Sequence, residues 1–398
     1  MSSGFENATA ADVREAPAEE RVLASAPRLD FGRIRGDVEE LAAMERGSAA
    51  EDKPQVAWLE RRLRDAGAHE VHIESFRFQR RPSRYVAHTG AGLAAAAVGG
   101  PVGAGLAAAT LASVELEVSG RSRWSARFLP AGEGANVVAR VPAAGEPERT
   151  VVFVAHHDAQ RTGLLWRLPR GKEPYALGGQ IALGLVALGC LIGSRVLRVL
   201  GGLVMAVASL LGLDLARNRV VPGANDNATG VAALVALVGA LARDPLERTD
   251  VIAVFTDCEE VGLGGSAAWV DAHRDELQPA STLVVSLDTL GAGEPAVVGR
   301  DGAVTAHYSR DTQDWADRGA LRAAVPPPRR VDLIASTDAI VAQHAGLRAL
   351  SLVSIDERGT LGPHYHQPTD RPEYVDYDSV EHCTRLAAGI ARVWDSAS

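Results

Sequence analysis

Short β-branched runs bounded by polar or turn residues recur along the chain at Val151–Ala155 (VVFVA), Val251–Thr256 (VIAVFT), Leu283–Leu287 (LVVSL) and Ala349–Ser354 (ALSLVS). Runs this short and this continuously apolar predict strands buried on both faces. Between them apolar residues take helical spacing, most clearly over Ala228–Arg243 and Ser379–Trp394. Gly36–Glu45 and Pro54–Ala66 mix apolar and charged residues at the same spacing, which predicts two amphipathic helices covering a sheet. The alternation predicts an α/β fold: a three-layer sandwich with helices on both faces of a central mixed, mostly parallel sheet.

Two stretches break the scheme. Thr89 to Val114 carries no charge and is dominated by Ala and Gly; a second uncharged run, Pro174 to Ser194, resumes after Arg195 and Arg198 as Val199 to Leu213. About 18 apolar residues suffice for a membrane span. Two readings stand: membrane-embedded hairpins, or hydrophobic helical insertions packed on the catalytic domain as a lid or on a partner subunit. The strand at Val151–Ala155 lies between them, so each insertion crosses a bilayer an even number of times if it crosses at all. Residues 174–213 can form a transmembrane hairpin with Arg195 and Arg198 near its tip. Thr89–Val114 is too short to cross twice and predicts a re-entrant or surface hairpin turning at Gly99-Gly100-Pro101. Arg161, Arg167, Arg170, Lys172, Arg217 and Arg219 at the base of the larger hairpin outnumber the two tip arginines, which predicts a cytoplasmic catalytic domain.

Composition narrows the chemistry. With Lys+Arg 41 against Asp+Glu 50 the net charge is -9, which argues against a nucleic-acid partner. Cys190, Cys258 and Cys383 are too scattered for a disulfide framework or a thiolate zinc cluster. Met1 to Pro27 is polar and acidic without the apolar segment of a signal peptide. Residues 1–30 read as a flexible acidic tail, and 31–398 as one catalytic domain interrupted by hydrophobic insertions at 89–114 and 164–220.

Candidate chemistry collects at the ends of the predicted strands. Val151–Ala155 runs into His156-His157-Asp158, and alternation puts His156 and Asp158 on one side and His157 on the other. A Gly-rich turn presents Asp226 before a long apolar helix, where an N-cap is the plain alternative. Glu259-Glu260 leave the end of the second strand, Asp288 ends the third, and His364-Tyr365-His366 lies in a Pro-containing loop. Carboxylates and imidazoles at successive strand ends make a donor set suited to zinc without thiolates.

The order H-x-D (His156–Asp158), G-x-N-D-N-x-x-G (Gly223–Gly230), E-E-x-G-x-x-G-S (Glu259–Ser266), strand-terminal L-D (Leu287-Asp288) and Y-H-x-x-x-D (Tyr365–Asp370) resembles the co-catalytic two-zinc aminopeptidases grouped as metallopeptidase family twenty-eight. The resemblance implies a zinc-exopeptidase-type sheet and two Zn2+ per chain. By position it implies that His156 and Asp288 hold one zinc, that Glu260 and His366 hold the other, and that Asp226 bridges them. Glu259 would be the general base, Asp158 would orient His156, and Tyr365 would help stabilise the oxyanion. Three carboxylates against two divalent ions leave a net positive core, in which a bridging water loses its proton near neutrality. A peptide or aminoacyl substrate held by its free amine, and aminopeptidase action, follow as expectations. His157 and His364 are expected to be structural, and Cys258 to be a packing residue. Ser336-Thr337-Asp338 resembles the family's S-D-H region without its histidine, and the long insertion between His156 and Asp226 is a further departure. A glutaminyl-cyclase-like acyltransferase using one zinc, and an inactive scaffold that had lost ligands, are the alternatives on the same fold.

Overall fold

The computed structural model describes residues 29–118, 121–167, 174–301, 306–333 and 335–397; most of the expected tail, 1–30, lies outside the described residues. Helices α1 (Phe31–Ala42) and α2 (Pro54–Ala66) come first, then β1 (Glu70–Gln79), α3 (Ser83–Val98), α4 (Gly100–Val118), β2 (Ala131–Val141) and β3 (Arg149–His156). After these come α5 (Pro174–Leu191), α6 (Arg195–Arg217), α7 (Thr229–Arg243), β4 (Thr249–Thr256), α8 (Gly264–Ala272), β5 (Thr282–Leu287), β6 (Glu294–Asp301) and β7 (Ala306–His307). The chain closes with α9 (Arg310–Arg322), β8 (Arg329–Asp332), α10 (Ala339–His344), β9 (Arg348–Ile355) and α11 (Tyr377–Asp395).

Each expected strand forms within a residue or two of its apolar run. The first helix begins earlier than its charge pattern implied, because Asp30 caps it by accepting the Arg33 N–H. The second starts on Pro54 and stops at Gly67, whose φ of 91° suits only the left-handed cap.

The sheet order is β1-β2-β4-β3-β5-β9-β6-β7, with β8 beside β6. The central strands β4, β3, β5 and β9 are parallel, and antiparallel strands flank them on both sides. Period-two alternation divides β3 between two cores. Val151, Phe153 and Ala155 face the layer that holds α1, α2, α7 and α11, whereas Val152 and Val154 face the layer of α8 and α10. This is the three-layer sandwich expected.

Direction matters for the site. Because β2 is antiparallel to β4 and β1 to β2, β1 ends and β2 begins at the edge where β3, β4 and β5 end. Val137 pairs with Phe255, so residues 131–136 and their β1 partners project roughly 20 Å past the end of β4. Both insertions therefore leave from one edge of the sheet.

They also meet. α3 packs on α4 and α6, α4 on α5, and α5 on α6, closing a four-helix bundle. The first insertion does turn at Gly99 and Gly100, both at positive φ. It is longer than its uncharged run, with helices of 16 and 19 residues, because Arg84, Glu115 and Glu117 interrupt the uncharged stretch without ending the helices. Among the described residues three segments are long and apolar enough to cross a membrane: Gly100–Val118, Arg195–Arg217 and Ala224–Arg243. The last is 94% buried and belongs to the core, against 28% and 22% for the other two.

Candidate metal centre

The edge at which the parallel strands end gathers the sequence-predicted ligands. His156 closes β3, Asp288 follows β5, Glu259 and Glu260 follow β4, Asp226 stands before α7, and His366 lies in the loop before α11. His156 Nε2 lies 3.2 Å from Asp226 Oδ1, 3.8 Å from Asp288 Oδ1 and 4.0 Å from Glu259 Oε2. His366 Nε2 lies 2.9 Å from Asp226 Oδ2 and 3.3 Å from Glu260 Oε2. His156, Asp226 and Asp288 form one compact donor set and Asp226, Glu260 and His366 another. Asp226 thus turns one carboxylate oxygen toward each imidazole.

These donors fit a metal. Glu260 Oε1 and His366 Nδ1 are buried without a hydrogen-bond partner among the described residues, and Asp226 Oδ2 and His366 Nε2, 2.9 Å apart, face one another without hydrogen-bond geometry. Each such atom costs about 1–3 kcal/mol when left unsatisfied, and a cation satisfies oxygens and imidazole together. Cys258, behind the acidic pair, is fully buried and its thiol is pushed well up by burial and by Asp257, so it packs rather than ligates.

Electrostatics of the metal-free chain agree. Burial opposes charge on both rings, yet Glu260 and Asp226 lift His366 to about 9, and Glu259, Asp158 and Asp226 lift His156 well above its ordinary value. Burial raises Glu260 to about 7, with Asp226 adding to it, and raises Glu259 well above the carboxylate range, with Glu260 and Asp288 adding. Burial also pushes on Asp226, but the two imidazoles hold it below the ordinary range. Protons on the rings stand where divalent cations bind.

Sequence spacing could not reveal the supporting contacts. His156 Nδ1 is 3.1 Å from the main-chain oxygen of Asp158, closer than the Asp158 carboxylate at 3.6 Å, and this leaves Nε2 facing the cluster. The Asp158 carboxylate instead accepts from Ser48 Oγ and from the Glu259 and Glu260 N–H groups, so it shapes the acidic loop as well as the ring. Gln160 Nε2 donates to Glu260 Oε2 at 2.8 Å. Asp370 accepts from the Asn225 and Asp226 N–H groups, and fully buried Arg46 donates to the carbonyls of His157, Pro222 and Gly223. Asp338, in the S-T-D segment, accepts from Thr256 Oγ1, and burial raises it to about 6. Of these supporting groups Asp158, Asp370 and Asp338 fall in the sequence motifs, whereas Ser48, Gln160 and Arg46 do not.

The residue at the helix N-cap is Ala228, and Asn227 just before it, rather than Asp226, accepts from the Gly230 N–H, so the Asp226 carboxylate is left to the two imidazoles. Gly230 is required there, since a side chain would strike Asn227 and the Leu287 carbonyl. His157 points away, with its ring nitrogens near the Ala135 carbonyl and Gln55. His364 stacks on Tyr374 and bonds Thr369. Tyr365 stacks on His366 with centroids 3.7 Å apart. Cys258, Thr289 and His366 all hold positive φ, so three non-glycine residues around the cluster occupy backbone that side chains rarely adopt.

Fold and site together define a metal-dependent hydrolase of the zinc exopeptidase type. The sequence profile of Peptidase family M28 matches residues 136–391, and the chain belongs to that family. No curated protein matches significantly. Among solved structures, the LapA aminopeptidase of Legionella pneumophila is similar at 13% identity and TM-score 0.56, covering 96% of this chain and 77% of its own. A zinc aminopeptidase from Bacillus subtilis is similar at 12% and 0.56, covering 92% and 95%. A glutaminyl cyclase of Bacteroides thetaiotaomicron is similar at 13% and 0.57, covering 92% and 99%. These likenesses establish the fold.

Proposed function

We propose that this chain is a zinc-dependent aminopeptidase that hydrolyses N-terminal peptide bonds with Glu259 as general base. The observation that carries the reading is Asp226 lying between His156 at 3.2 Å and His366 at 2.9 Å, which divides the donors into two sets sharing one carboxylate. His156 and Asp288 would hold one zinc, Glu260 and His366 the other, and Asp226 both. Two donor sets support two metals, whereas a one-zinc cyclase needs only one set to hold its metal. When bound, zinc supplies Lewis acidity to the scissile carbonyl and lowers the pKa of a water toward neutrality.

The chain's own groups do the rest. The Glu259 carboxylate, whose affinity for a proton burial raises beside Glu260 and Asp288, accepts a proton from the attacking water and returns it to the departing amine. Asp158 fixes the loop from which Glu259 projects. Tyr365, whose phenol burial keeps protonated, donates to the developing oxyanion.

In the same reading the hairpin 174–213 anchors the enzyme in a membrane with the catalytic domain in the cytoplasm. Arg161, Arg167, Arg217 and Arg219 at its base against Arg195 and Arg198 at its tip support that orientation. The decisive test is metal content with turnover. Two zincs per chain with release of aminoacyl-coumarins supports the proposal; one zinc with cyclisation of a glutaminyl substrate assigns the cyclase, and absence of both leaves a scaffold.

A further inference from the structure

The bundle α3–α6 is packed inside out relative to the sheet domain. Small side chains fill much of its centre, where Ala95, Ala104 and Ala107 meet Val186 and Cys190, with Leu183 and Met205 buried beside Ala182 as the larger exceptions. Large ones face outward, among them Val102 at 73% exposure, Leu191, Val199, Leu203 and Leu210 at 67%. Water favours the reverse arrangement; helices whose surroundings are hydrocarbon associate through small residues and leave branched aliphatics outside. The interior contacts are close, since a side chain at Gly103 would strike the Ala95 carbonyl and Cys190, and one at Gly201 the Ala182 carbonyl and Val186. Two threonine hydroxyls in the bundle are satisfied by their own helices: Thr89 donates to the Tyr85 and Val86 carbonyls and Thr110 to that of Leu106. With 19, 18 and 23 residues, α4, α5 and α6 rise roughly 28, 27 and 34 Å, against a hydrocarbon core of roughly 30 Å. The two hairpin tips lie together, because the turn at Gly99 sits against the Arg198 guanidinium.

The base of this bundle rests on the metal-bearing edge. Arg84, in the first turn of α3, lies against Gly262, close after Glu260 in the acidic loop. On the second insertion Trp166 meets the His366 ring edge-on at 4.2 Å, and its main-chain oxygen accepts from Gln367. Cations crowd the base: Arg80 and Arg81 precede the first hairpin, Arg84 lies in its first turn, and Arg121, Arg123 and Arg127 follow it.

We propose that the two insertions together form one membrane-embedded four-helix unit that holds the metal-bearing sheet edge against the bilayer, so that the enzyme takes its substrates from peptide N-termini displayed at the membrane surface. The chemistry of this inference rests on the aminopeptidase reading; the seating does not.

The test uses the full chain in phospholipid vesicles. Leu106→Cys and Leu203→Cys, one on each insertion, are labelled with a thiol-reactive fluorophore; the three native cysteines are buried. Quenching of both by brominated acyl chains and not by aqueous iodide is expected. Iodide quenching at Leu106→Cys, or disulfide crosslinking between copies in place of lipid quenching, overturns the proposal. Peptides of one N-terminal sequence are then compared untethered, or joined at the C-terminus to a lipid through about six or about twenty-five residues, which reach roughly 20 and 85 Å when extended. Equal cleavage of both tethered forms, at least tenfold faster than the untethered peptide at equal bulk concentration, is expected. Cleavage of the long tether alone overturns the placement of the site at the bilayer. Loss of turnover on every peptide, the untethered one in detergent included, strikes the aminopeptidase reading instead, and the quenching result still decides the seating.

Discussion

Asp370 holds Asp226 by its backbone: the buried Asp370 carboxylate accepts the Asn225 N–H at 2.8 Å and the Asp226 N–H at 3.1 Å. That pair of bonds fixes the peptide from which Asp226 reaches between two imidazoles. Asp370→Ala leaves both N–H groups without an acceptor, and the expected loss is about 2–3 kcal/mol of stability. Displacing Asp226 is expected to weaken zinc binding by about 10–100-fold, the usual effect of removing a group that positions a ligand. Asp370→Asn keeps one acceptor oxygen and is expected to recover part of both. Chelator competition and urea unfolding measure the two quantities, and wild-type zinc affinity in the Ala variant would show that Asp226 is positioned without Asp370.

Glu259 and Glu260 are adjacent in sequence, and the proposed function gives them opposite roles. Gln160 Nε2 holds Glu260, and the Glu260 carboxylate faces His366, whereas Glu259 keeps the more exposed side chain, 11% against 4%. Glu259→Gln is expected to lower kcat by at least 10²–10⁴-fold while zinc content stays at the wild-type level. Glu260→Gln is expected to lose zinc as well. Elemental analysis beside initial rates separates the two, and equal metal loss in both variants would remove the distinction between base and ligand.

The strands and the donors were legible because both are written locally. A run such as VVFVA has no alternative to burial on two faces, and a charged or imidazole residue at its end has no place in the core, so His156, Asp288 and the acidic pair stand out. The supporting groups were not legible. Arg46 and Ser48 contact residues more than a hundred positions away, and nothing near them in sequence marks them. Strand β1 alternates (EVHIESFRFQ), but it interleaves charges with apolar residues at the sheet margin, a weaker signal than continuous burial. The two hydrophobic insertions each announced themselves, whereas their union into one bundle is a tertiary fact that hydropathy, read one segment at a time, does not contain.

The metal-free enzyme is expected to gain stability as pH falls from 9 to about 5. His366 is raised from its ordinary value to about 9, so its contribution is present below about 6.5 and lost as pH rises through 9. Burial raises Glu260, Asp301 and Asp370 to about 7, so the fold binds protons there that the unfolded chain releases, and these groups act with the same sign. Zinc needs the deprotonated donors, so its stabilisation runs the other way. Calorimetry with and without chelator across this range is expected to show the zinc-dependent rise in Tm shrinking as pH falls. A rise in Tm that stays constant with pH would mean that these groups do not exchange protons for metal.

Arg46 ties the two ends of the second insertion to the site. Its guanidinium, fully buried, donates to the His157 carbonyl at 3.0 Å just past β3 and to the Pro222 and Gly223 carbonyls at 2.8 and 2.7 Å just before Asp226. The chain that leaves at His157 for the bundle and returns at Pro222 is pinned by one side chain. Arg46→Met fills the volume but leaves the His157 and Pro222 carbonyls unpaired and the Gly223 carbonyl with only the Ala228 N–H, and Asp158, Asp226, Glu260 and Asp370 lose a nearby positive charge. The expected cost is about 3–5 kcal/mol, the range for removing one partner of a buried charged network. Arg46→Lys is expected to recover less than half of it, because an ammonium on a flexible stem does not span carbonyls on both sides as the planar fork does. Because Arg46 does not touch the donors, saturating zinc is expected to restore kcat to within about threefold of wild type in the folded fraction while the zinc concentration for half-activation rises. Unfolding curves together with zinc titrations of activity measure both, and a kcat that stays depressed at saturating zinc would place Arg46 in the chemistry rather than beneath it.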